Sequence, residues 1–222
     1  MPRTFAIGDI HGCCKTFRKL LLEEINLEKE DSIYCIGDYV DRGPDSKGVI
    51  DLIISLRGEG YKIYTLRGNH EQMMLDAVSD RQESARWLLN GGVETLQSFR
   101  IGSAVELPGE YLTFLEGTDF FISTDKYVFV HAGLNFLIDS PFSDRDAMLW
   151  TRETYFDPSK IRNRILIHGH TPIPFKNIAI QLSGNVINID AGCVYNHRPG
   201  LGHLVALSLP AMELMAVKNI DD

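Results

Sequence analysis

The residues best suited to do chemistry in this chain come in short polar clusters, each carrying a carboxylate, an amide or an imidazole beside glycine. Gly8-Asp9-Ile10-His11-Gly12, Gly37-Asp38-Tyr39-Val40-Asp41-Arg42-Gly43 and Gly68-Asn69-His70-Glu71 are the first three. His131-Ala132-Gly133 and Gly169-His170-Thr171-Pro172 follow. Carboxylate oxygen, amide oxygen and imidazole nitrogen are the donors that hold divalent metals. Asp9, His11, Asp38, Asn69, His131 and His170 supply all three kinds. An Asp-x-His pair places two donors on one turn, where both can reach the same ion. A second carboxylate can bridge two ions about 3.5–4 Å apart, which is the arrangement of two-metal hydrolases. Taken singly, an Asp after a strand is usually a helix cap and a lone His a satisfied surface or core residue. Five clusters that repeat one pattern make that account a poor one.

Each cluster follows a short apolar run: Thr4 to Ile7, Ile33 to Ile36, Ile63 to Leu66, Tyr127 to Val130 and Ile165 to Ile167. Runs this short, bounded by turn residues, read as buried strands. Helical patterns separate the early ones, at Phe17 to Glu24 with Leu20 and Leu21 inward, and at Gly48 to Leu56, stopped by Gly58. Asp9, Asp38 and Asn69 are 29 and 31 residues apart. That is the length of a βαβ unit, so each sits just past the carboxyl end of a strand, where open α/β sheets place their ligands. From Glu71 to about Thr118 the pattern is helical, with Asn90-Gly91-Gly92 a helix stop and restart. The Trp87-Leu88-Leu89 stripe reads as core. From Val186 onward strands return, with His203 to Leu209 and Glu213 to Val217 forming a hairpin around Pro210.

A chain of 222 residues with 44% hydrophobic and 23% charged residues is neither disordered nor in need of disulfide staples. No Ser/Pro/Gly-rich linker divides it, so residues 1–222 are expected to form a single domain with a helical insertion at about 71–120. Lys and Arg total 22 against 30 Asp and Glu, a net charge of −8. Such a chain is a poor general nucleic-acid binder, and any phosphate must be drawn by something local. Cys13, Cys14, Cys35 and Cys193 form no C-x-x-C and suggest reduced thiols of a cytoplasmic protein. No apolar run approaches the roughly 20 residues that span a bilayer, so no membrane partner is expected.

The first three clusters resemble the signature blocks of the PPP serine/threonine protein phosphatases, metal-dependent enzymes within the calcineurin-like metallophosphoesterases. His131-Ala132-Gly133, Leu149-Trp150-Thr151-Arg152 and Gly169-His170-Thr171-Pro172 are similar to the remaining blocks. The match runs from about residue 5 to 195, and the Trp87-Leu88-Leu89-Asn90-Gly91-Gly92 segment resembles the bacterial and phage branch. The resemblance implies an α/β metallophosphoesterase fold, with a β-sandwich core flanked by helices and the active site at strand carboxyl ends. It implies two divalent metal ions, manganese first, with iron or zinc as alternatives. One would be held by Asp9, His11 and bridging Asp38, the other by Asp38, Asn69, His131 and His170. A metal-bridging hydroxide would attack, Arg42 and Arg152 would clamp the phosphoryl oxygens, and His70, oriented by Asp41, would protonate the leaving oxygen. The implied substrate is a phosphoprotein or phosphopeptide carrying phosphoserine or phosphothreonine, with phosphotyrosine a further option.

A symmetrical dinucleoside-tetraphosphate hydrolase shares the metal site. That group typically has Ala where this chain has Asp41 and Asp where it has Glu71, which favours the phosphatase. A catalytically idle module that docks phosphoproteins is a third reading, though no ligand or catalytic position is missing. Outside the set, His168 would share a strand face with His170, His197 and Arg198 lie in a turn that borders the pocket or is simply exposed, and Asn90 faces the site or ends a helix. Cys13 and Cys14 are not expected to bind metal.

Overall fold

The computed structural model describes residues 2–221. Three βα steps open the chain: β1 (Thr4–Ile7), α1 (Cys14–Lys19), β2 (Ser32–Cys35), α2 (Ser46–Gly58), β3 (Lys62–Thr65) and α3 (Asn69–Ser79). β1, β2 and β3 pair in parallel, as their spacing requires. β8 (His203–Leu209) then adds antiparallel to β1, and β9 (Glu213–Lys218) completes a five-stranded sheet in the order β3-β2-β1-β8-β9. The expected hairpin is there, with a cis Leu209–Pro210 bond at its turn. A second sheet has the order β4-β5-β6-β7, made of Phe121–Ser123, Tyr127–Val130, Ile165–His168 and Val186–Asn188. Its last three strands are parallel.

Alternation along the strands builds three packed layers. Ala6, Val205 and Leu207 of the first sheet meet Phe129, Ile167 and Ile187 of the second in a buried cluster, which is the sandwich core. The neighbours of Ala6, Phe5 and Ile7, point the other way and pack with Ile33, Ile63, Phe17 of α1, Val49 and Ile53 of α2 and Met73 of α3. The outer face of the second sheet, Val128, Val130 and Leu166, is covered by Leu134, Met148 and Ile161. A side-chain period of two thus places one residue in each layer.

The region expected to be helical contains α3, α4 (Arg81–Trp87), a π-helical turn (Leu88–Gly92), α5 (Val93–Phe99) and α6 (Gly109–Glu116). The break expected at Asn90-Gly91-Gly92 falls at Gly91, whose φ of 106° lies outside the helical range. α7 (Arg145–Trp150) and α8 (Phe175–Gln181) flank the second sheet. The first helix differs from expectation. It begins at Cys14 and widens into a π-helical turn over Leu20–Glu24, which still carries Leu20 and Leu21 into the core. No helix among the described residues is long and apolar enough to cross a membrane. All four cysteines are buried thiols.

Candidate dinuclear metal centre

The two sheets bring the carboxyl ends of their parallel strands to a common edge. Asp9 and His11 follow β1, Asp38 follows β2, Asn69 begins α3 after β3, His131 follows β5 and His170 follows β6. All six side chains are buried. Asn69 Oδ1 lies 2.9 Å from His131 Nε2 and 2.9 Å from His170 Nδ1. Asp38 stands between the two halves, with Oδ2 3.4 Å from His11 Nε2 and Oδ1 3.4 Å from His131 Nε2. One set of metal-binding atoms, from Asp38, His131 and His170, lies within 4.8 Å, and a second comes from His11, Asp38 and His70. Asp38 belongs to both, as a bridging carboxylate must, whereas Asp9, expected as a donor, falls in neither set and His70, expected to stand outside the metal shell, is in the second.

The backbone is bent sharply to achieve this. His11, Asp38, Asp41, Arg42 and His170 all have φ between 48° and 71°, in the left-handed region that non-glycine residues avoid. Such conformations cost on the order of 1–3 kcal/mol each and cluster where the surrounding structure enforces them for function. Much of the enforcement falls to Glu71. Its buried carboxylate accepts the backbone N–H groups of Asp38, Tyr39 and Gly68, each at 2.8 Å, and so ties the second and third clusters together. Burial and the nearby Asp38 push the Glu71 pKa up to about 7.

The imidazoles are held in fixed orientations. His11 Nδ1 is 2.8 Å from the Val40 carbonyl and His131 Nδ1 3.0 Å from that of Ile36, so each Nδ1–H donates outward and each Nε2 is left as a lone-pair donor toward the centre. Burial lowers the pKa of His11 and of His131, and takes that of His170 down to about 3, which favours the neutral form that binds metal. Burial, then Asp190 and Asp38, pushes Asp9 well above the usual carboxylate range. Two buried atoms, Asp9 Oδ1 and His170 Nε2, meet no hydrogen-bond partner. Unpartnered buried acceptors are costly. An O/N donor set with lone pairs left over is one that divalent manganese, iron or zinc fits.

Beside this centre lies a second constellation. His70 Nδ1 is 2.7 Å from Asp41 Oδ2. Asp41 is fully buried, and its carboxylate also accepts Trp87 Nε1 at 3.0 Å on both oxygens and Thr95 Oγ1 at 2.7 Å. Burial raises the Asp41 pKa, while His70, Thr95 and Trp87 oppose that rise. With Nδ1–H engaged by Asp41, the His70 Nε2 is free, and its ring stands edge-on to that of His11 at 4.7 Å. Arg42 Nη1 reaches His11 Nε2 at 2.6 Å, and its backbone N–H donates to the Gly91 carbonyl. Arg152 lies just past α7, and its charge is felt at His170.

The chain belongs to the calcineurin-like phosphoesterase family. That family's model matches residues 2–203. A relative from Anoxybacillus flavithermus, an asymmetrical bis(5'-nucleosyl)-tetraphosphatase, is 27% identical over 96% of this chain and 93% of its own length. Serine/threonine-protein phosphatase 1 of Salmonella typhimurium is 43% identical, over 40% of this chain and 38% of that protein. A solved serine/threonine phosphatase from Saccharomyces cerevisiae superposes with a TM-score of 0.67, covering 100% of this chain and 81% of that one at 15% identity, a likeness of fold. The phosphoesterase is therefore a metal-dependent hydrolase on both family and donor set.

Two expectations need correction. β6 ends at His168 and the chain turns at Gly169, with His170 left-handed, so the two histidines do not share a strand face. His168 instead lines a cavity of about 450 Å³ with Phe136, Tyr155 and Arg152. Trp87 is core, yet its indole N–H serves Asp41, and Leu89 of the same stripe is 89% exposed. The π-helical turn separates them. His197 and Asn90 border a cleft with Arg42 and Tyr195, while the Asn90 amide itself donates to the Arg86 carbonyl. Sequence reasoning missed Glu71 and Thr95 as parts of the site. Glu71 is visible in hindsight as a carboxylate three residues into a glycine-led helix start. Thr95 carried no signal.

Proposed function

We propose that this phosphoesterase is a phosphoprotein phosphatase acting on phosphoserine and phosphothreonine monoesters. Asp9, His11 and Asp38 would hold one divalent cation, and Asp38, Asn69, His131 and His170 the other. When bound, two such ions polarise a phosphoryl group and make water acidic enough to attack at neutral pH. The chain's own residues do the rest. Arg42, beside His11, and Arg152, whose charge reaches His170, would bind the phosphoryl oxygens, which their planar guanidinium forks suit. The imidazolium form of His70 delivers its Nε2 proton to the leaving oxygen, and Asp41, fixed by Trp87 and Thr95, orients the ring through Nδ1–H and offsets its charge.

The observation that carries the reading is the buried Asp41–His70 pair. A serine or threonine alkoxide is a poor leaving group and needs a proton. A phosphoanhydride releases a nucleotide that leaves well without one. Local identity of 43% to a serine/threonine phosphatase supports the same reading. Hydrolysis of dinucleoside tetraphosphates is the second reading, favoured by the likeness to an asymmetrical tetraphosphatase over 96% of the chain. Direct competition between a phosphoserine peptide and diadenosine tetraphosphate, with bound metal measured on the same sample, separates them. The phosphatase reading expects the higher kcat/KM on the peptide. It also expects His70→Asn to keep both metals while kcat falls by roughly 10²–10⁴, most on alkyl phosphates. A higher kcat/KM on the dinucleotide would overturn it.

A further inference from the structure

Asp190 has no task in this scheme. It lies just past β7, at the same end of the second sheet as His131 and His170, and is 1% exposed. Its Oδ1 accepts the Gly192 N–H at 2.7 Å. Its Oδ2 meets no hydrogen-bond partner. Its side chain and that of Asp9 both approach Gly169, and Asp9 Oδ1 is also unpartnered. A Cβ built on Gly169 would lie 2.3 Å from Asp9 Oδ1 and 3.3 Å from Asp190 Cβ, so the bare Gly169 is what lets the two side chains approach. The backbones are pressed together as well. A Cβ on Gly8 would meet the Ile189 carbonyl oxygen at 2.4 Å and Asp190 Cα at 3.6 Å. Asp190 is therefore fixed against the Asp9 turn by main-chain packing.

Two neighbouring buried carboxylates, each with an oxygen removed from water and given no donor, are a costly arrangement unless a cation serves both. The donor sets point the same way. The cation assigned to Asp38, Asn69, His131 and His170 has four protein groups, whereas the one assigned to Asp9, His11 and Asp38 has three. We propose that Asp190 is the fourth protein group of that first site, its Oδ2 contributing to the coordination shell of the ion beside Asp9. The inference rests on the two-cation reading of the centre.

The test is manganese binding by the full chain, stripped with EDTA and retitrated by calorimetry with free Mn²⁺ followed by electron paramagnetic resonance. The wild type should take up two ions. Asp190→Asn, which keeps the volume and the acceptor for Gly192, should weaken one of them by about 10–100-fold, the usual cost of losing a group that supports a metal site. The other ion should bind unchanged, and the rise in Tm on adding Mn²⁺ should shrink. Asp190→Ala should show the same split, and if it fails to fold the Asn variant decides. Two ions bound to Asp190→Asn at wild-type affinity would overturn the proposal. So would a lower Tm in EDTA with unchanged Mn²⁺ affinity, which marks a structural role. Uptake of fewer than two ions by the wild type would instead refute the two-cation reading, and this inference with it.

Discussion

Replacing Trp87 by Phe tests whether the Asp41 carboxylate acts through its hydrogen bonds. The substitution keeps an aromatic ring in a fully buried site and deletes a single donor, the indole N–H that lies 3.0 Å from both Asp41 oxygens. Three side chains serve this carboxylate, from His70, Thr95 and Trp87, and the first two remain. A hydrogen bond to a buried charge is worth about 1.5–3 kcal/mol. At roughly 2–4 °C per kcal/mol for a chain of this size, Tm should fall by about 3–12 °C. Catalysis should change selectively. With one donor gone the Asp41 carboxylate is held less firmly against His70, so kcat on an alkyl phosphate should fall by about tenfold, equal to roughly 1.4 kcal/mol. On p-nitrophenyl phosphate, whose leaving group needs little protonation, the fall should be within about twofold. Thermal unfolding with saturating Mn²⁺ and steady-state kinetics on both substrates provide the readouts. Equal losses on the two substrates would refute the chain of influence from Trp87 through Asp41 to the leaving oxygen. A Tm unchanged from wild type would show that the indole N–H contributes nothing to the buried carboxylate.

Two further outcomes follow from the structure. Gly91→Ala forces a side chain onto a φ of 106° and places its Cβ 2.7 Å from the Arg42 backbone nitrogen, so it should displace Arg42 while sparing the metal donors; inhibition by inorganic phosphate should weaken by about tenfold with metal content unchanged. Far from the site, the buried Asp31 carboxylate accepts the backbone N–H of Arg3, two Arg3 guanidinium N–H groups and the Glu28 N–H. Those bonds to Arg3 and Glu28 outweigh burial and hold the Asp31 pKa below its ordinary value. A depressed carboxylate pKa stabilises the fold above the unfolded value of about 4 and loses that contribution as pH falls through the folded value. Because Arg3 is partly exposed, Asp31→Ala should cost about 1–3 kcal/mol at pH 7. Denaturant unfolding should show the gap between variant and wild type narrowing below about pH 4, and a gap independent of pH would remove the carboxylate's charge from the account.

How much of this was legible depends on whether the information is local. β1 and its partners could be read because each is an apolar run closed by glycine, and the spacing of Asp9, Asp38 and Asn69 fixes a βαβ rhythm. The candidate donors were legible for the same reason, since each stands within a few residues of a strand's end. Tertiary relations were not. That the strand bearing His168 stops there, turning His170 away from it, depends on Gly169 lying against Asp9, 160 residues earlier in the chain. Thr95 and Trp87 serve Asp41 only because α4 and α5 fold back across the second cluster, and their sequence neighbourhoods look like ordinary amphipathic helix.

The positions that sequence patterns describe worst are those where the site departs from unstrained backbone. His11, Asp38, Asp41, Arg42 and His170 are left-handed, in types other than the glycine that prefers this region. Propensity would have placed glycine at each. Chemistry requires a side chain there, and the fold holds it by hydrogen bonds from outside the turn, such as the Glu71 carboxylate on Asp38 N–H and the Thr95 and Ser46 hydroxyls on Asp41 N–H. Local preference and function conflict at these five positions, and function prevails because distant residues supply the compensation. That is also why the supporting residues, rather than the donors themselves, are the part of the site a sequence conceals. A donor must be a particular chemical type at a strand's end. Its support can come from any element that the fold happens to bring near.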